Sequence, residues 1–372
     1  MPDVSYTVLL DDVPLPPHVQ GAMQQLQVED HATMADVLRF RALVAVKENG
    51  DGWSVLDDDL FTRLANIKVI VAVAGITTHL IDAHIVDTRI ELSSTPGKSF
   101  IDVIAMDPTV LMSLDEKQRA WPNQSDSDIA GTIFGEYGFT ADVEDTRIRY
   151  DENDVTTTQF GTDIKFLKAL AGRNGFECFV DLDENGNKVG HFHKPRVQDA
   201  PQGVLSVNCG AATNVNTFTA RFDMLKPMQA VAAGLDIESK DNQDGSVSGS
   251  DLKSMGSSSS ATGDRPRRVY LANTGLAKSS ELSAYAQALV DESNFAIVAE
   301  GELNTVAYGA VLRAKKVVNV RGAGRTFSGA YYVDKVLHVL TGEGYVQRFS
   351  LRRNATGLVG RENFAEDNGL PS

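Results

Sequence analysis

Cysteine is almost absent: Cys178 and Cys209 are the only two in 372 residues. They form no Cys-x-x-Cys pair and have no histidine at zinc-finger spacing, which excludes a disulfide framework or structural zinc ribbon and leaves two reduced, buried thiols as the expectation. Long apolar runs are missing as well. The best, Ile67 to Ile76, is ten residues long and reads as a buried strand, because a membrane span needs ~20. Positive charge is sparse: the formal net charge is −15 and the main basic cluster is Arg265, Arg267 and Arg268. That stretch reads as a solvated loop edge, so no nucleic-acid sequence recognition is expected. The N-terminus MPDVSYTVLLDDVPLP lacks a basic segment followed by an apolar one, so synthesis and folding in the cytoplasm are expected.

Catalytic signatures are missing too. The chain has no Gly-x-Ser-x-Gly elbow, Walker loop or His-Glu-x-x-His, and its acidic residues are spread through turns where solvation accounts for them. No catalytic residue, cofactor-binding residue or metal ligand is assigned, no cofactor is expected, and the chain is read as a non-enzyme.

What is present is strand pattern. At 40.2 kDa with 42% hydrophobic and 23% charged residues, the chain is a folded protein too long for one ordinary core. Tyr6 to Leu10, Ala42 to Lys47, Ile67 to Ala74 and His79 to Glu91 read as strands, punctuated by the turn dipeptides Asn49-Gly50 and Asp51-Gly52. From Met106 the pattern becomes helical. Ser125 is placed to cap a helix carrying Ala130, Ile133, Phe134 and Tyr137 on one stripe, and Thr162 opens a second with Ile164, Leu167, Leu170 and Ala171 inward. Both run into Gly-Phe and a strand, as YGFTADV and NGFECFV. Residues 237–264 contain thirteen Ser or Gly in 28 positions and no aromatic, a composition that reads as a flexible loop or linker. Leu282, Tyr285, Ala286 and Leu289 then mark a helix over about 280–293. The chain nears its end on a hairpin, Tyr331 to Leu340 and Tyr345 to Arg353, around Thr341-Gly342-Glu343-Gly344.

Four motifs tempt a functional reading. Asp181, Asp183, Asn185 and Gly186 match the start of a calcium loop, yet Phe192 stands where the bidentate Glu is required, so a hairpin around Asn185-Gly186 is expected instead. Gly322-Ala323-Gly324-Arg325-Thr326-Phe327 lacks the third glycine of a dinucleotide loop and reads as a β-turn. His79 and His84 are spaced to opposite strand faces. His191 and His193 share a face, but no Cys or third His lies near them in sequence, so they read as surface strand histidines.

Taken in order, several blocks resemble the late-control D family of phage tail baseplate hub proteins. They are Asp163-Ile164-Lys165-Phe166-Leu167-Lys168-Ala169-Leu170-Ala171 followed by Gly175-Phe176, and Gly329-Ala330-Tyr331-Tyr332-Val333 through Val336-x-His338 to Gly344-Tyr345 and Arg353-Asn354. The Ser283 to Val290 helix and the Asp236 segment fall in the expected places. The same hub architecture occurs in R-type pyocins, contractile injection systems and the hub half of type VI spike proteins.

The resemblance implies a mainly β chain with an α+β insert and two similar β-barrel domains. Residues 1–105 would form the first barrel and 106–199 the insert at the outside. Residues 200–236 and 295–355 would form the second barrel, with 237–264 a flexible loop, 265–294 a connecting strand and helix, and 356–372 a polar C-terminal tail. It implies a homotrimer that adapts a hexameric tail tube to a trimeric spike, burying more than ~2,000 Å² per subunit pair. The implied partners are a separate spike protein, a tail tube initiator and peripheral baseplate wedge proteins, with no membrane span. Two other readings stay open: a baseplate-associated module that binds or cleaves peptidoglycan, and a monomeric effector adaptor. A domesticated injection particle and a phage pose the hub the same mechanical task.

Overall fold

Seven strands come from the first 106 residues of the computed structural model: β1 (Val4–Leu10), β2 (Val13–Pro14), β3 (Met23–His31), β4 (Val37–Leu43), β5 (Asn66–Val73), β6 (Ile76–Glu91) and β7 (Phe100–Met106), with a short helix α1 (Pro17–Ala22) before β3. The structure describes residues 4–47, 50–146, 148, 156–235, 242–261, 265–271 and 279–364. Asn49, Asp236, residues 262–264 and residues 365–372 of the tail, on which expectations above rest, lie outside the described residues. Alternation drives the pairing. In β5 Ile67, Val69, Val71 and Val73 are buried, and in β7 Ile101, Val103 and Ala105, so each strand lines one core with every second side chain.

The insert follows as β8 (Glu116–Trp121), α2 (Asp126–Glu136), β9 (Thr140–Val143), β10 (Thr157–Thr162), α3 (Asp163–Asn174), β11 (Glu177–Leu182) and β12 (Lys188–His193). Helix α2 begins as the sequence predicts. Ser125 Oγ accepts from Asp128 N at 3.1 Å while Asp128 Oδ2 accepts from Ser125 N at 3.2 Å, a reciprocal cap that contributes about 1 kcal/mol. Ile129, Ala130, Ile133 and Phe134 of α2 meet Phe166, Leu167, Leu170 and Ala171 of α3 in a separate core with Trp121 and Phe192.

The remaining strands are β13 (Val204–Ser206), β14 (Val215–Phe222), β15 (Met228–Leu235), β16 (Asn242–Asp244), β17 (Ser258–Ser259), β18 (Arg267–Leu271), β19 (Ile297–Asn304), β20 (Val317–Arg321), β21 (Gly329–Thr341), β22 (Gly344–Arg353) and β23 (Ala355–Thr356), with helix α3 joined by α4 (Ser279–Asn294). The terminal hairpin is the expected one, slightly longer at each start. Its first strand is shared: β21 pairs with β20 over Gly329 to Tyr332 and with β3 over Lys335 to Thr341, the change falling at a register shift between Val333 and Lys335. A bulge at that point lets one strand serve two partners.

The mainly β architecture with an α+β insert is therefore as expected, but the two halves form one continuous 13-stranded sheet around two cores. Among the described residues no ladder closes the first half into a ring: β3 pairs with β4 on one side and with β21 on the other, and β2 at the far end pairs with β1. Helix α1 covers that side and sends Val19 into the core. In the second half Asn214 links β13 to β14 side-on: its Oδ1 accepts from Ser206 N at 2.7 Å and its Nδ2 donates to Val204 O at 2.9 Å.

Several local expectations are corrected. Strand β4 ends at Leu43, and of Ala42 to Lys47 only Val46 makes an isolated bridge, to Trp53. Gly324–Phe327 is a helical turn rather than a β-turn. Of 237–264, much of 242–261, the part the structure describes, is packed, not free. Met255 is buried, its N–H donates to Asn354 Oδ1 at 2.9 Å, and its carbonyl accepts from the buried Arg353 guanidinium at 3.0 Å. Composition hid this, since one methionine and borrowed side chains hold a segment that has little apolar surface of its own. The described part of the tail is docked as well, Asn319 Nδ2 donating to Asn363 O at 3.0 Å and Arg321 Nη1 to Phe364 O at 3.0 Å.

Candidate functional site: a buried ionic junction

Strand β11 carries two faces of different chemistry. Cys178 and Val180 enter the core of the insert, and burial pushes the Cys178 thiol up to about 12, so it is no nucleophile. Glu177, Phe179 and Asp181 alternate with them and point towards the main sheet. Each of the two acids meets an arginine there.

Asp181 is one member of a cluster whose parts come from distant stretches of the chain. Arg313 Nε donates to Asp30 Oδ2 of β3 at 2.7 Å, its Nη1 to His79 O at 2.7 Å, and its Nη2 to Asp181 Oδ1 at 3.2 Å. Lys315 Nζ donates to Asp30 Oδ1 at 2.8 Å and Asp36 Oδ2 at 2.8 Å, and lies 5.2 Å from the Phe179 ring centre. Asp36 N donates in turn to Asp107 Oδ2 at 2.6 Å. Asp30, Asp36, Asp107 and Lys315 are all buried.

Four carboxyls thus face two cations, and the charge divides unevenly. Burial works to raise Asp30, but Lys315 and Arg313 outweigh it and hold that carboxyl far below the ordinary range. Burial raises Asp36 and Asp107, and for Asp36 the neighbouring carboxyls add to the rise. Burial works to lower Lys315 and Arg313, yet the carboxyls, Asp30 first, hold both above their usual values. Both stay cationic at every physiological pH.

His338 of β21 borders this cluster, fully buried, with Nδ1 2.7 Å from Tyr345 Oη. Burial pushes its imidazole down to about 3. The sign follows directly: below pH ~6.5 the unfolded chain takes up a proton that the folded chain refuses, so stability falls with pH across that window. The stability difference between wild type and His338→Phe is expected to shift against wild type by about 1.4 kcal/mol per pH unit from pH 6 to 4. Urea titrations at several pH values measure it, and a pH-independent difference would contradict the assignment.

A second junction lies at Glu177. Arg352 Nη2 donates to Glu177 Oε1 at 2.6 Å and Tyr332 Oη donates to Glu177 Oε2 at 2.6 Å, while Arg352 Nη1 reaches Glu292 Oε2 of α4 at 3.0 Å. Burial raises Glu177 in spite of Arg352. Together the two junctions hold the insert to both halves of the sheet and to α4.

The tempting motifs resolve as follows. Asp183 Oδ1 accepts from Asn185 N at 2.9 Å and Asn187 N at 2.8 Å, and Gly186 takes φ +81°, so the calcium-like stretch is the turn of the β11–β12 hairpin. His84 Nδ1 lies 3.1 Å from Leu64 O, an ordinary strand contact. His193 is buried, not a surface histidine. Asp142, which sequence reasoning missed, stands beside His191 because β9 pairs in parallel with β12. Among the described residues no helix is long and apolar enough to cross a membrane.

Solved structures of tail proteins carry the same fold. A 43 kDa tail protein of prophage MuSo2 from Shewanella oneidensis superposes with a TM-score of 0.65 at 14% identity, over 95% of this chain and 100% of that one. The tail protein from Neisseria meningitidis MC58 gives 0.64 at 11%, over 94% and 97%. An E. coli component of the type VI secretion system, described as structurally similar to the T4 tail proteins gp27 and gp5, gives 0.55 at 10%, over 97% and 80%. The likeness to tail hub proteins expected from the sequence is borne out at the level of fold. Residues 22–342 match the family model of the Alg8 N-terminal domain, and the protein belongs to that family. No curated protein matches the sequence.

Proposed function

We propose that the chain is the structural hub of a contractile phage tail or tail-like injection particle. It trimerises to join a hexameric tail tube to a trimeric spike. The observation that carries this reading is the continuous sheet shared by two halves, together with its likeness to tail and type VI proteins across nearly the whole chain. A part that passes axial force from tube to spike needs halves that do not shear, and buried ionic contacts resist shear because sliding strips charges of their partners. In this reading the spike lies distally, a tube initiator proximally and wedge proteins against the insert, residues 106–199. The particle assembles in the bacterial cytoplasm, and the chain turns over no substrate.

Light scattering on the purified protein is expected to give three times the 40.2 kDa chain mass by itself, or that mass plus the spike's on adding the cognate spike. A monomer under both conditions would overturn the trimer. Clearing of peptidoglycan in a zymogram would overturn the non-enzymatic role.

A further inference from the structure

On the face of the insert sheet that carries Glu177 and Phe179, Asp142 of β9 and His191 and His193 of β12 turn their donor atoms to one point. His191 Nδ1 lies 3.1 Å from Asp142 Oδ2 and 3.2 Å from His193 Nε2, and the three atoms all fall within 4.8 Å of one another. We propose that Asp142 Oδ2, His191 Nδ1 and His193 Nε2 form a binding site for a divalent transition metal of the zinc type.

The spacing is the first support. Metal–ligand bonds of about 2.0–2.1 Å in a tetrahedron place neighbouring ligand atoms ~3.3 Å apart, and two of the three edges are already within a few tenths of that.

The hydrogen bonds around the site are the second. His193 Nδ1 lies 2.8 Å from Lys194 O, and a carbonyl only accepts, so Nδ1 carries the hydrogen and Nε2 keeps its lone pair. This backbone contact is what fixes a metal-binding imidazole. Asp142 Oδ1 accepts from Arg196 Nη2 at 2.7 Å, which aims Oδ2 at the histidines. The Phe179 ring stacks on His191 at 4.5 Å and 18°, holding its plane. Without a metal, the His193 lone pair and the Asp142 carboxylate share one His191 hydrogen. A cation satisfies all three.

Arg196 pairs with Asp142, and Glu144 accepts from Lys194 N at 3.1 Å. Set opposite Phe179 and Glu177 in the register of β11 and β12, the site lies at the seam between insert and main sheet. Asp142 and His191 are only partly buried, which leaves a fourth position for water or for a donor from an assembly partner.

The test is calorimetric titration of the chelator-treated full chain with zinc chloride. One ion per chain and a raised melting temperature are expected, and cobalt should give the intense visible absorption of a four-coordinate site. Asp142→Asn and His193→Ala should each weaken binding by at least 10–100-fold. Asp142→Asn keeps the shape and one acceptor, so it reads binding in a folded chain. No saturable binding to wild type, or binding that both substitutions leave unchanged, overturns the proposal.

Discussion

Replacing Lys315 by alanine is expected to destabilise the protein by roughly 3–5 kcal/mol, the range for stripping a buried ion pair of one partner. The substitution leaves Asp30 with the Arg313 guanidinium and the Ala314 N–H, and leaves Asp36 beside Asp107 with no cation in hydrogen-bond reach. Urea or guanidinium unfolding followed by circular dichroism measures the loss. A change below ~1 kcal/mol would mean that water or backbone relaxation replaces the ammonium and the junction is not the fastening described. Asp30→Asn in the Lys315→Met background should recover part of the loss, and coupling of 0.5–3 kcal/mol between the two changes is the signature of contact.

Glu177→Ala is expected to have a comparable effect, about 3–5 kcal/mol, because it deprives the buried Arg352 of its buried carboxylate partner and Tyr332 of its acceptor. Glu292 and Asp334 remain to Arg352, but Glu292 is largely exposed and Asp334 Oδ1 stands off at 3.5 Å from Nε, so both are worth less than the buried pair. The consequence is regional. Amide hydrogens of β8 to β12 should exchange faster than those of β5 to β7, because the lost contact holds the insert to β21 and β22. Uniform acceleration across the chain, or none, would show that the insert is held by other means. Tyr332→Phe removes one hydrogen bond and should cost about 1 kcal/mol.

The long elements were legible in the sequence because each obeys a local rule. The capping box at Ser125, the apolar stripe of α4, the Gly186 turn and the two runs of the terminal hairpin each depend on residues within one or two turns of chain. Strands β3 and β4 were not foreseen. Their alternation, Leu26 and Val28 or Leu38 and Phe40, is interrupted by Glu, Asp and Arg whose partners lie far along the chain. The junction was invisible for the same reason: Asp30 and Arg313 are 283 residues apart, and an acid in a strand looks solvated until its cation is located. Asp142 was hidden by topology. Parallel pairing of β9 with β12 needs the whole of β10, α3 and β11 to lie between them, so spacing carried no sign of it.

Strand β21 has a consequence for the order in which the protein is made. Its Lys335 to Thr341 segment is the partner that covers β3, so the N-terminal sheet leaves the ribosome with that edge bare until nearly the whole polypeptide has been translated. An uncovered edge over so long an interval is a template for pairing with the wrong molecule. Nascent chains stalled before residue 329 should therefore aggregate or recruit chaperones, and release should come with the final hairpin.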